Sequence, residues 1–352
     1  MSLAQTPPIF DGHNDLLLRL LRGAVSASDV VGGLSSGHID LPRARSGGFG
    51  GGFFAVFVPS PSKSGDDMDA MAQPQYDLPL PEMIPHAEAL ETTWKGVEAF
   101  EALAEAGAIT PCTTAAEIEV ALTGPKMAAV LHIEGAEAIG PDLSELHELH
   151  ARGLRSLGPV WSRPTIFGNG VPFRFPSTPD TGDGLTEAGK RLVKECNDLK
   201  IMIDLSHLNE KGVDDVAALT DAPLVATHSN AYAITPHARN LTDRQLAMIA
   251  ESNGMVGVNF ASAFLRPDGR MDPSCSLDVV LRHFDHLIEK LGEDGVGFGS
   301  DFDGATVPEG ITDIAGLPNL RAAMTAHGFD AALMDKLCSG NWLRVLRKTW
   351  GA

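Results

Sequence analysis

What most constrains this chain is a unit repeated along it: a short apolar run, a polar residue able to bind metal or a proton, then a helix-patterned stretch. The apolar runs fall at 8–11, 52–58, 127–133, 154–160, 201–205, 224–227, 255–260 and 295–299. Most lack the alternation of a half-exposed strand, which is the pattern of strands buried on both faces of a parallel sheet. Helical periodicity follows at 86–106, 142–152, 185–199, 211–219, 242–252, 277–291 and 331–348. Thr186 and Thr242 stand where N-caps belong, and Thr242-Asp243-Arg244-Gln245 fits a capping box. Eight strands alternating with helices predict an α/β fold, a (β/α)8 TIM-type barrel in one domain spanning residues 1–352. An open doubly wound sheet is the competing architecture. No G-x-G-x-x-G follows the first run, so a dinucleotide site is not expected. The glycine-rich run at 47–52 lacks the Lys-Ser/Thr of a phosphate loop and is read as a turn entering the second strand.

The segment 59–85 is the one long irregular stretch, rich in Pro, Ser, Asp and Met. It follows the second strand and so belongs to the mouth side of a barrel, as a lid or an interface. The formal net charge of -19 argues against a nucleic-acid partner, because nothing would neutralise phosphates. The cysteines at 112, 196, 275 and 338 form no C-x-x-C pair, so neither a disulfide framework nor a cysteine zinc site is expected. No apolar stretch reaches the roughly 20 residues of a membrane span, and the opening residues lack signal-peptide features. A cytoplasmic protein with no membrane partner is expected.

The polar residues at the strand ends carry the chemistry. His13 and Asp15, two apart, project to one side of an extended backbone. Glu134 ends the third strand, His207 the fifth, His228 the sixth and Asp301 the eighth. A lone histidine past a strand is usually a hydrogen-bonded structural group. Five strand ends offering His, Asp or Glu converge on one mouth in a barrel, where catalytic groups sit. Three imidazoles with carboxylates suit zinc or a similar divalent ion. A pair of cations needs a bridging oxygen ligand, which a carboxylate supplies. His132 is read as structural, its side chain turned away from the site. Asp303 is read as a loop cap, and His147 and His150 as a solvated helix face.

With these motifs in hand the chain resembles the renal (membrane) dipeptidase family of zinc peptidases, within the amidohydrolase-like barrels. The resemblance covers nearly the whole chain. It rests on D-G-H-N-D at 11–15, I-E-G at 133–135, D-L-S-H at 204–207, T-H-S at 227–229, R-N at 239–240 and S-D-F-D-G at 300–304. It implies two Zn2+ per chain, other divalent metals being alternatives. His13 and Asp15 would hold one, Glu134 would bridge both, and His207 and His228 would hold the second. It implies that Arg239 grips the terminal carboxylate of a dipeptide and that Asp301 shuttles the proton. The implied activity is hydrolysis of dipeptides, with a D-residue admissible at the carboxyl end, by a metal-bridging hydroxide. A homodimer is implied by the resemblance alone, with 59–85 as the candidate contact. One departure stands out. The family has a histidine at the end of the fourth strand that polarises the scissile carbonyl, and Trp161 falls in its place. Arg163 is the candidate replacement. That departure motivates an alternative, a metal-dependent hydrolase of another small amide, an N-acyl amino acid or a lactone. A non-catalytic binding barrel is the remaining reading.

Overall fold

The computed structural model describes residues 7–60 and 69–351. Eight short strands form its centre: β1 (Ile9–Asn14), β2 (Phe49–Phe57), β3 (Met127–Glu134), β4 (Leu154–Gly158), β5 (Met202–Ile203), β6 (Val225–Ser229), β7 (Met255–Val258) and β8 (Val296–Phe298). They lie in the order β5-β4-β3-β2-β1-β8-β7-β6, each paired in parallel with its neighbour. A parallel bridge between Asp204 and Val225, with Leu205 N–H donating to the Val225 carbonyl at 2.8 Å, brings β5 to β6 and curls the sheet into a closed ring. This is the expected (β/α)8 arrangement.

Helices pack their apolar stripes on the outside of the ring. The helix Leu277–Leu291 buries Val280, Leu281, Phe284 and Leu287, the i, i+3/i+4, i+7 spacing of one helical face. The capping box read at Thr242 is present, its hydroxyl accepting from Gln245 N–H. The predicted helix at 331–348 forms, running from Ala331 to Trp350 with one wider turn inside it. Ala331–Asp335 and Asn341–Trp350 flank a wide turn at Lys336–Gly340. That helix sends Trp342 into the barrel, where it meets Phe10 and Phe53 edge-on and donates its indole N–H to the Phe298 carbonyl at 3.0 Å. Truncating Trp342 to alanine would open a cavity costing about 3–5 kcal/mol.

The run 47–52 is not a turn throughout. β2 already begins at Phe49, and a side chain at Gly51 would collide with the Ala128 backbone and one at Gly52 with that of Asp11. Glycine here lets three strands approach closely. Of the segment 59–85 assigned as lid or interface, residues 61–68 lie outside the described residues. The following part is tied down over the mouth. Tyr76–Asp77 pairs antiparallel with Arg174–Phe175, the Tyr76 hydroxyl donates to the Gly269 carbonyl at 2.8 Å, and Met271 N–H donates to the Met71 carbonyl. Among the described residues no helix is long and apolar enough to cross a membrane.

Candidate metal centre

All the side chains singled out at strand ends, apart from those placed by resemblance alone, arrive at the carboxyl end of the ring. β1 extends past its predicted end to Asn14, so His13 is still in the strand and points inward. β1 and β8 are locked together below it by Asp11, whose two oxygens accept from Ser300 N–H and Ser300 Oγ–H, both at 2.6 Å. His207, Asp301 and Asp303 adopt left-handed backbone (φ 68°, 61° and 67°), uncommon for residues other than glycine and the kind of local strain that concentrates at functional sites.

Glu134 stands at the centre. Its Oε1 lies 3.0 Å from His207 Nε2 and 3.3 Å from His228 Nε2, while its Oε2 lies 3.7 Å from His13 Nε2. His13 Nε2 is also 3.4 Å from Asp15 Oδ2. Two overlapping sets of ligand atoms lie within metal-binding reach of one another, His13 with Glu134 and His228, and His13 with Asp15 and Asp301. The structure therefore places Asp301 within ligand reach of His13 and Asp15, a proximity that its proton role alone did not require.

Behind the ligands sits a polar layer that orients them. Thr227 Oγ1 donates to Asp204 Oδ2 at 2.5 Å, so it accepts from His228 Nδ1 at 2.8 Å and leaves Nε2 free of a proton. Ser162 Oγ lies 3.0 Å from His207 Nδ1 in the same manner. Asn259 Nδ2 donates to Asp301 Oδ2 at 3.0 Å. Sequence reasoning assigned no role to Asp204, Ser162 or Asn259. Asp204 lay inside a quoted motif, whereas nothing in the sequence marked the other two.

The electrostatics call for cations. Burial pushes the Glu134 carboxyl up to about 8, with Asp15 and Asp301 adding to it against the opposing pull of His13 and Arg239. Burial alone would suppress a charge on His13, but Glu134, Asp15 and Asp301 outweigh it and raise the ring to about 10. His207 and His228 are pushed well below the usual histidine range by burial, and remain neutral, ligand-ready rings. His13 is fully buried and neither of its ring nitrogens has a hydrogen-bond partner among the described residues. A metal fits this donor set: an orphaned buried imidazole facing three carboxylates, next to two imidazoles aimed by hydroxyls.

A cleft of about 390 Å³ opens above the cluster. Asp15, Asp301 and Asp303 line it together with Phe57, Trp161, Phe173 and Phe264. Trp161 packs on Phe57 at 4.9 Å and Phe173 at 5.4 Å between ring centroids. Arg239 is buried one layer behind this wall, its guanidinium carbon 5.3 Å from the Phe264 ring, with Nη2 donating to the His228 carbonyl at 3.1 Å. Burial lowers it to about 10. Arg163 does not reach the cleft. It is fully buried beneath Trp161, and its nitrogens donate to Glu137 Oε1, Ser60 Oγ and the Val58 carbonyl at 2.9, 2.7 and 2.6 Å. His132 does not turn away from the site as expected but points into the barrel interior. It lies under His13 with its Nδ1 2.9 Å from Ser156 Oγ, a structural place reached by the same alternation that aims Glu134. Asp303 accepts from His38 N–H at 2.8 Å, in keeping with a loop-anchoring part.

A curled parallel sheet with a His/Asp/Glu cluster at its carboxyl end defines a metal-dependent hydrolase of the amidohydrolase-like type. The chain belongs to the membrane dipeptidase family, peptidase family M19, which it matches over residues 1–350. It is 58% identical to a metallopeptidase from Rhodobacter sphaeroides crystallised with a phosphinate mimic of the dipeptide L-Ala-D-Ala; the match covers 98% of this chain and all of that one, with a TM-score of 0.96. It is 59% identical to the crystallised metallopeptidase dipeptidase AC over 99% of this chain and 100% of that one, also at a TM-score of 0.96. An uncharacterised protein from the pqqA 5′ region of Klebsiella pneumoniae is 50% identical over 245 residues, which is 70% of this chain and 90% of that protein. The chain is thus a metallodipeptidase with a metal cofactor.

Proposed function

We propose that this barrel hydrolyses dipeptides with two divalent ions, zinc foremost, which His13 and Asp15, His207 and His228, and Glu134 between the two pairs would hold. The observation that carries this reading is the division of Glu134: one oxygen faces His207 and His228, the other faces His13, which has Asp15 beside it. When bound, the ions supply Lewis acidity and a water that ionises near neutral pH. The remaining work falls to the chain. Asp301, held by Asn259, carries the proton to the departing amine nitrogen. Arg239 receives the far carboxylate, which limits the substrate to two residues. The acidic lining of the cleft suits the free amine, and the aromatic wall of Trp161 and its neighbours suits apolar side chains. Trp161 offers one N–H and no charge, and packed on Phe57 and Phe173 it helps exclude water from the cleft. The phosphinate mimic bound by the Rhodobacter relative supports a substrate with a D-residue at the carboxyl end.

The test is a kinetic screen of stereochemically defined dipeptides alongside N-acyl amino acids on zinc-loaded protein, with bound metal counted per chain. Turnover of free dipeptides with two ions per chain is expected. Activity confined to substrates with a blocked amine would remove the dipeptidase reading in favour of the acylated class.

A further inference from the structure

A second polar site lies behind Arg239. A space of about 10 Å³ is walled by Ser229, Arg239, Asn240 and Gln245 together with His207 and apolar residues such as Leu205 and Leu241. That is close to the room one water requires, about 10–15 Å³ by the same measure. Every one of the first four side chains is buried. Three of them carry a polar atom with no hydrogen-bond partner among the described residues: Arg239 Nε, Asn240 Oδ1 and Gln245 Nε2.

The rest of each side chain is already committed, so these atoms have nowhere else to turn. Asn240 Nδ2 donates to the Thr235 and Phe264 carbonyls at 3.0 and 2.8 Å, which fixes the amide with Oδ1 left over. Gln245 Oε1 accepts from Thr242 N–H and Thr242 Oγ1–H at 2.9 and 3.0 Å as the reciprocal half of the capping box, which leaves Nε2 pointing onward. Arg239 N–H is taken by His237 Nδ1 and Nη2 by the His228 carbonyl. Buried polar groups left unpartnered are costly and rare.

We propose that one water is held here against the Nε of Arg239 by Gln245, Asn240 and Ser229, and that this site sets the aim of the guanidinium. The complement is that of a water molecule. Arg239 Nε and Gln245 Nε2 donate to it, and Asn240 Oδ1 and the Ser229 hydroxyl accept from it. An anion is disfavoured by Asn240 Oδ1, and a cation by the guanidinium. With Nε tied to the water and Nη2 to the His228 carbonyl, the guanidinium is held at two of its three nitrogens, leaving Nη1 for the substrate carboxylate. The capping box thereby does two things: it starts the helix Asp243–Glu251, and it makes Gln245 a positioning residue for substrate binding. The proposal rests on the reading of Arg239 as the carboxylate receptor.

Two measurements test it. A high-resolution crystal structure of the metal-loaded protein is expected to show one ordered water within hydrogen-bond distance of Arg239 Nε, Gln245 Nε2 and Asn240 Oδ1. The second is kinetic. Gln245→Glu keeps the capping acceptor, since Glu serves at that position as well as Gln, but it replaces the buried donor with a carboxylate beside Arg239. The expected result is a KM for dipeptides raised about tenfold with kcat changed by less than about twofold, the signature of lost uniform binding. Arg239→Ala run in parallel separates the two failures. An unchanged KM in Arg239→Ala sinks the carboxylate reading, and this proposal with it. A raised KM in Arg239→Ala beside an unchanged KM in Gln245→Glu, or a cavity without ordered density, overturns the water site alone.

Discussion

The two halves of the metal cluster are built on opposite plans. On the β1/β8 side a fully buried His13, unpartnered at both nitrogens, is surrounded by Asp15, Asp301 and one oxygen of Glu134, and these carboxylates raise its ring to about 10 against the effect of burial. On the β5/β6 side His207 and His228 bring no carboxylate of their own. Burial keeps them neutral, a hydroxyl sits on each Nδ1, and their Nε2 atoms converge 3.1 Å apart on the other oxygen of Glu134. One half contributes charge and the other contributes aim. In our reading the oxygen-rich half tolerates harder ions, whereas the imidazole half selects for zinc-like ones.

The largest effect is expected from Asp301→Asn, which keeps the shape of the side chain and its place beside Asn259 but removes the proton-carrying carboxylate. We expect kcat to fall about 10²- to 10⁴-fold, or about 3–5 kcal/mol in the barrier, with bound metal nearly unchanged. Because Asp301 also lies within ligand reach of His13 and Asp15, the metal count is the informative number. If metal is lost together with activity, Asp301 belongs to the charge-supplying half as a ligand, and the proton role must pass to another group.

The next largest test concerns aim. Thr227→Val removes the hydroxyl between Asp204 and His228, and Ser162→Ala removes the one behind His207, without touching a ligand. Each is expected to weaken metal binding about 10- to 100-fold in chelator competition, the range typical of groups that orient ligands. Unchanged affinity in both would mean that the imidazoles are held by packing, and the contrast between the halves would lose its basis. Smaller again is Arg239→Ala, for which KM should rise about tenfold or more, at least about 1.4 kcal/mol, with little change in metal content.

How much of this was legible in the sequence follows the same division. A metal ligand at the end of an apolar run is visible because the run marks the strand and the barrel brings its end to the mouth, so His13, Glu134, His207 and His228 could be gathered before any coordinates. The groups that aim them could not. Whether Thr227 Oγ meets His228 Nδ1, or Ser162 meets His207, depends on strand register and on left-handed turns such as the one at His207. Arg163 shows the converse error of proximity along the chain. Two residues from Trp161, it looked available to the substrate, yet its guanidinium is consumed by Glu137, Ser60 and Val58. The glycines at 50–52 looked like a turn because a close approach between strands and a turn ask for the same residue. The wide turn at Lys336–Gly340 ends in Ser339-Gly340, a pair that loosens helices, but the pair alone does not specify a turn that widens rather than stops.

The charge-rich half also depends on a loop anchored from outside the cluster, and this yields the smallest expected effect. Beyond Asp301 the chain is held at Asp303, whose N–H donates to His38 Nδ1 at 2.8 Å while its Oδ1 accepts from His38 N–H at 2.8 Å. The first of these bonds needs a neutral ring. Burial lowers His38 from 6.5 to about 4, with Arg43 and Arg19 disfavouring the charged form and Asp313 opposing them. Because the folded value lies below the unfolded one, the folded protein declines a proton that the unfolded chain accepts. The stability held at His38 is therefore complete above pH 6.5 and is lost progressively as pH falls toward 4. Between pH 7.5 and 5.5 the share lost is about 1 kcal/mol after allowance for the ring's partial exposure. His38→Asn retains an acceptor for Asp303 N–H but does not titrate, so its unfolding free energy should fall by about that much less than the wild-type value over the same interval. Equal losses in the two proteins would show that His38 takes up a proton as readily in the folded state as in the unfolded chain, and that below its pKa the β8 loop is anchored by Asp303 Oδ1 alone.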